Sequence, residues 1–64
     1  MTEQRFTTED KRQAIDRELR YRRHVYARRV ANGQMTQQLA DRQIAVMEAI
    51  LADYQQAAQS ERLV

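Results

Sequence analysis

TQQLADRQIAVMEAILADYQQAAQ, residues 36–59, is the stretch of sequence that decides the fold. Apolar side chains recur in it at alternating spacings of four and three residues, which is typical of a helix that packs along another helix. This first seam comprises Ala40, Ile44, Met47, Leu51, Tyr54 and Ala58. A second seam beside it comprises Leu39, Gln43, Val46, Ile50 and Ala57. At 100° per residue the two seams cover roughly 160° of the helix, more than one antiparallel neighbour needs, so we expect a second partner there.

A turn and another helix are predicted on the N-terminal side of this stretch. Thr36 offers a side-chain oxygen to cap the helix that follows it, and Gly33 suits the left-handed position at which a helix ends. Thr7 and Thr8, followed by acidic residues, offer the same kind of helix start further upstream. The predicted connection between the two helices, residues 32–35, is so short that the helices must lie antiparallel. The predicted elements are a helix over about 8–31, a turn over 32–35 and a helix over about 36–59.

The length and composition of the chain indicate self-association. A chain of 64 residues usually needs a disulfide, a metal or another subunit to be stable, and this one has no cysteine and one histidine. We therefore predict an all-α protein in which residues 1–64 form a single domain, a two-helix antiparallel hairpin that dimerises into a four-helix bundle. The side chains expected in its core and dimer interface are Leu39, Ile44, Val46, Met47, Ile50, Leu51 and Tyr54.

Charge is divided unevenly between the two helices. Residues 11–31 carry a net charge of +6, whereas residues 1–10 and the residues from 36 onward each carry −2. A solvated charged face is the simplest interpretation of the arginines, and we expect His24 to be exposed on it. Two functional interpretations stay open: a surface that docks on another protein, and one that binds nucleic acid or small anionic nucleotides. The candidate binding residues are Arg17, Arg20, Arg22, Arg23, His24 and Arg28.

Arg22 is a charged residue inside the apolar stripe of the first helix. That stripe comprises Ile15, Leu19, Tyr26 and Val30. Because inward-facing charges are almost always paired, we expect an ion pair with Glu18, one turn earlier, or with Glu48 on the facing helix. Two alternatives remain: the guanidinium lines an anion pocket where subunits meet, or it reaches past the apolar surface to solvent.

Several classes of function are not expected. The carboxylates of Asp41 and Glu48 have no accompanying nucleophile, so we predict no enzymatic activity, and we also predict no cofactor and no metal site. No apolar run approaches the ~20 residues that span a bilayer, and the start of the chain lacks the basic-then-apolar order of a signal peptide. We therefore expect a cytoplasmic protein with no membrane partner.

Residues 17–54 contain a pattern with a family resemblance. The pattern is Arg22-Arg23-His24-Val25-Tyr26, then Val30, Gly33, Met35-Thr36, Ala40, Ile44, Met47-Glu48-Ala49-Ile50 and Asp53-Tyr54. It resembles a group of small uncharacterised α-helical proteins encoded by tailed phages and prophages, which often have proline where this chain has Ala27. The resemblance implies a small helical product of phage origin in the host cytoplasm, and it implies no activity.

These observations lead to one predicted function and one alternative. We predict a non-enzymatic phage or prophage accessory protein that acts by binding, as a protein–protein interaction module directed at a host or defence protein. The alternative is a binder of nucleic acid or small anionic nucleotides through the arginine-rich first helix. The expected partners are further copies of the chain itself and a host or phage protein.

Overall fold

Two long helices make up the fold. The computed structural model describes residues 5–62, with side chains for residues 5–61. Helix α1 spans Thr8–Ala31 and helix α2 spans Gln37–Arg62. The two helices pack against each other, and no strand occurs in residues 5–62. The predicted all-α two-helix hairpin is therefore confirmed, while the predicted domain limits at residues 1 and 64 lie outside the described residues.

Contacts between the helices show that they run antiparallel. Thr8, at the start of α1, donates a hydrogen bond to the carboxylate of Glu61 near the end of α2. Arg23, in the second half of α1, contacts Glu48 in the first half of α2. Helix α2 continues three residues past its predicted end at residue 59, because neither glycine nor proline interrupts it and Glu61 finds a partner on α1.

Both helices begin at a threonine cap. The backbone N–H of Asp10 donates to the hydroxyl of Thr7 (3.0 Å), and the backbone N–H of Thr7 donates to the carboxylate of Asp10 (3.1 Å). This capping box satisfies amides that the helix itself leaves without a partner. At the start of α2 the hydroxyl of Thr36 accepts from the backbone N–H of Leu39 (3.1 Å). The predicted cap at Thr36 is therefore present.

Gly33 ends α1 in the predicted left-handed conformation, with φ +74°. Its N–H donates to the carbonyl of Val30 (3.1 Å), and the N–H of Gln34 donates to the carbonyl of Arg29 (2.8 Å). This pair of bonds is a Schellman motif, which satisfies the last carbonyls of a helix while the chain reverses. Backbone hydrogen bonding at this one turn therefore fixes where α2 starts relative to α1.

Replacing Gly33 with alanine tests this turn. A Cβ added at Gly33 meets no atom within 4 Å, so the expected loss of about 1 kcal/mol in unfolding free energy comes from backbone conformation alone. Urea denaturation followed by circular dichroism measures the loss. Gly33→Asn is the matched control, and it should lose less because asparagine tolerates the left-handed region. An alanine variant as stable as the wild type would contradict this role of the glycine.

The core between the two helices is small. Leu19 of α1 and both Ala40 and Met47 of α2 are buried, with 2%, 4% and 9% of their surface exposed. No other side chain in residues 5–61 is buried. The remaining predicted core residues of the first seam are half-buried, and these are Ile44, Leu51 and Tyr54. The hairpin alone therefore covers its apolar seams only in part.

The second seam of α2 remains accessible in the hairpin. Leu39 and Val46 keep 46% and 47% of their surface exposed, so they lie outside the core of the hairpin, and their predicted place in a dimer interface stays a prediction. Gln43, Ile50 and Ala57 on the same seam are half-buried. We call Leu39, Val46 and Ile50 the seam face. Within the hairpin, Leu39 and Val46 of this face are exposed and Ile50 is half-buried.

Candidate binding surfaces

The arginines of α1 fall into two groups, and those of the first group are paired with carboxylates. The pairs are Arg20–Asp16 (2.6 Å), Arg22–Glu18 (2.8 Å) and Arg23–Glu48 (2.6 Å). All six side chains are partly exposed, so solvent screens each pair and its contribution to stability is small. The pairing nevertheless reduces the charge that these three predicted binding residues offer to a ligand.

Arg22 has two partners on its own helix. Its Nε donates to the carboxylate of Glu18 (2.8 Å), and its Nη1 donates to the hydroxyl of Tyr26 (3.4 Å). The hydrogen bond to Glu18 is the main reason that the pKa of Arg22 lies above its ordinary value. Of the two expected carboxylate partners, Glu18 binds Arg22, whereas Glu48 binds Arg23 across the helices.

The second group of arginines has no ion-pair partner within residues 5–61. Arg17, Arg28 and Arg29 are exposed, and no salt bridge or side-chain hydrogen bond joins them to a described carboxylate. His24 is exposed on the same helix. Arg29 was not among the predicted binding residues. The signal that identifies it is local, because no aspartate or glutamate lies three or four positions away on either side.

Two adjoining hollows lie along α1 near the turn. The first has a volume of about 230 Å³ and is lined by Glu18, Tyr21, Arg22, Val25, Tyr26 and Arg29. The second has a volume of about 190 Å³ and is lined by Val25, Arg28, Arg29, Asn32 and Gln34. Because Val25 and Arg29 line both, the hollows form one continuous surface with an aromatic ring at one end and amide side chains at the other.

The ion pair between the helices establishes which side chains share a side of the hairpin. Glu48 and Val46 flank the buried Met47 on opposite sides of α2, about 100° away in each direction. Arg23 and Glu18 likewise lie on opposite sides of the buried Leu19. Since Arg23 contacts Glu48, Val46 must lie on the same side of the hairpin as Glu18. The seam face of α2 therefore adjoins the Glu18–Arg22 pair of α1.

The opposite side of the hairpin carries a wider hollow between the helices. Its volume is about 360 Å³, and it is lined by Arg23, Tyr26, Ala27, Val30, Gln37, Ala40, Asp41, Ile44 and Glu48. The Arg23–Glu48 bridge stands at its edge. Apolar side chains from both helices form its floor, so this hollow belongs to the seam between α1 and α2.

Residues 5–61 contain no group of three or more metal-binding side chains that could hold an ion. Neither α1 nor α2 is apolar enough over a sufficient length to cross a bilayer.

Comparison of this chain with protein-family models, curated proteins and solved structures gives no match.

Proposed function

We propose that this chain is a non-enzymatic protein-interaction module whose first partner is a second copy of itself. In this proposal two hairpins join through their seam faces into a four-helix bundle. The observation that carries the proposal is the exposure of Leu39 and Val46, at 46% and 47%, on a helix whose other apolar side already packs on α1. Exposed apolar side chains that recur along one side of a helix are typical of an interface.

A second copy is the occupant that suits the seam face best. A two-fold dimer requires one patch that complements itself, and the seam face consists of aliphatic side chains of similar size without a charge among them. The neighbouring Glu18 and Arg22 already neutralise each other at 2.8 Å. Their pairing lowers the penalty for covering this edge of the interface, because an unpaired charge would be far more expensive to desolvate.

Self-association would also supply the buried core that the hairpin alone lacks. Only three side chains in residues 5–61 are buried, and a chain of this length without disulfides gains stability most readily from another subunit. A host or phage protein as a further partner stays a prediction, as does the phage origin suggested by the sequence pattern.

A mass measurement with one pair of variants tests this proposal. Light scattering at micromolar concentration should give at least twice the chain mass of 7.6 kDa. Val46→Glu should give a monomer, because it introduces a charge into the centre of the proposed interface. Ala45→Glu is the matched control: it adds the same residue at the adjacent, exposed position, about 100° around the helix from the seam face.

Two results would count against the proposal. A wild-type protein that is a folded monomer at micromolar concentration contradicts it. Equal dissociation by Val46→Glu and Ala45→Glu shows that added negative charge, rather than the seam face, disrupts the assembly.

A further inference from the structure

The second half of α1 is a segment without acidic residues. No aspartate or glutamate occurs between Glu18 and Asp41, whereas five arginines and one histidine occur in that interval. The first three of these arginines are paired with carboxylates that lie outside the segment. The last two, Arg28 and Arg29, are unpaired within the described residues. Positive charge is therefore left over at the turn end of α1.

An exposed aromatic ring stands between unpaired arginines. Tyr21 has 63% of its surface exposed, and it lies one helical turn after Arg17 and two turns before Arg28. Arg17 and Arg29 are twelve residues apart, which corresponds to about 18 Å along the helix. A ring flanked by unpaired guanidinium groups along such a length is the combination by which proteins hold single strands.

We infer that Arg17, Tyr21, Val25, Arg28 and Arg29, here called the outer strip, bind single-stranded nucleic acid. The guanidinium groups contact phosphates, and the ring of Tyr21 stacks on a base. This inference does not rest on self-association, because a single hairpin presents every residue of the outer strip. It goes beyond the proposed interaction between two copies by adding a partner of a different class.

Charge and shape favour a single strand over the other anionic partners. A double helix keeps its bases stacked, so it offers nothing to an exposed tyrosine ring. An acidic protein offers carboxylates to the arginines, whereas a single strand offers phosphates to the arginines and unstacked bases to the ring. Asn32 and Gln34, which line the hollow next to Arg29, add amide groups that hydrogen-bond to base edges, and a single strand presents all of its base edges.

Fluorescence anisotropy with labelled twelve-nucleotide oligo-dT and oligo-U measures this binding. At 20 mM salt we expect a dissociation constant of about 10 μM, weakening steeply as salt rises. Arg28→Gln with Arg29→Gln should weaken binding about tenfold and lower the magnitude of the salt slope by about 1.4, the value for two lost phosphate contacts on a single strand. Tyr21→Ala should weaken binding at least about fivefold, and Tyr21→Phe should restore it.

The matched control is a second double variant of α1. Arg20→Gln with Arg23→Gln changes net charge by the same amount but removes guanidinium groups that are already paired. We expect it to change affinity less than twofold. Circular dichroism verifies that both double variants remain helical. The mass of each variant, measured without oligonucleotide, shows whether its oligomeric state has changed, so a loss of nucleic-acid binding is distinguished from a loss of self-association.

Four outcomes would overturn the inference. The first is no binding of either oligonucleotide at 20 mM salt. The second is an equal loss of affinity in the two double variants, which indicates attraction to net charge alone. The third is equal affinity for a duplex of the same length. The fourth is equal affinity for polyglutamate of the same charge, which assigns the outer strip to acidic proteins instead.

Discussion

Replacing Leu19 with alanine should lower the free energy of unfolding by about 3 kcal/mol, the middle of the range for a leucine deleted from a packed core. Leu19 has 2% of its surface exposed and is the most completely buried large side chain in the described part of the chain. The core contains only two other buried residues, Ala40 and Met47. Few neighbouring side chains are therefore available to fill the space that the substitution opens. Urea denaturation at fixed protein concentration measures the effect.

Tyr21→Ala is the control for this prediction. It removes a larger side chain from the same helix, but Tyr21 keeps 63% of its surface exposed. The expected loss is within about 0.5 kcal/mol, as for most surface substitutions. If the tyrosine variant loses as much stability as the leucine variant, burial at Leu19 is not what holds the two helices together.

The second large effect is a dependence of the melting temperature, Tm, on protein concentration. If unfolding is coupled to dissociation of the proposed dimer, a hundredfold dilution should lower Tm by about 10 °C, given an unfolding enthalpy of about 0.7 kcal/mol per residue. A monomeric hairpin unfolds at a Tm independent of concentration. Circular dichroism melts between micromolar and submillimolar protein decide between the two. A constant Tm over this range would contradict the dimer.

Ile50→Asp should make Tm independent of protein concentration. Ile50 belongs to the seam face and is half-buried even in the hairpin, so a carboxylate there disfavours both dimerisation and helix pairing. We expect a monomer with a Tm at least about 15 °C below that of the wild type. Ala52→Asp is the matched control, because it places the same residue two positions later at an exposed site, and its Tm should still depend on concentration.

The helices and their ends were predictable from the sequence because local chemistry determines them. Thr36 and Gly33 act through hydrogen bonds and backbone conformation within four residues of their own positions. The end of α2 was predicted too early. The last turn of α2 includes Glu61, whose partner Thr8 lies on the other helix, and no local pattern contains such a contact.

The binding surface was less predictable, because sequence spacing leaves the choice of ion-pair partner open. Two carboxylates were within reach of Arg22 by sequence spacing. In the structure Glu18 pairs with Arg22, and Glu48 pairs with Arg23. Which arginines remain unpaired follows from those choices. Arg29 was missed although the sequence contains its signal, the absence of any aspartate or glutamate three or four positions away.

The antiparallel pairing of α1 and α2 makes the hairpin an electric dipole along its length. The half next to the turn, residues 17–49, contains seven arginines and three carboxylates, whereas residues 5–16 and 50–61 together contain three cationic side chains and five carboxylates. Two such molecules that lie side by side are most favourably antiparallel, with the turn of each beside the open end of its partner. In the proposed bundle this polarity selects the relative orientation of the copies, which a purely aliphatic seam leaves undetermined.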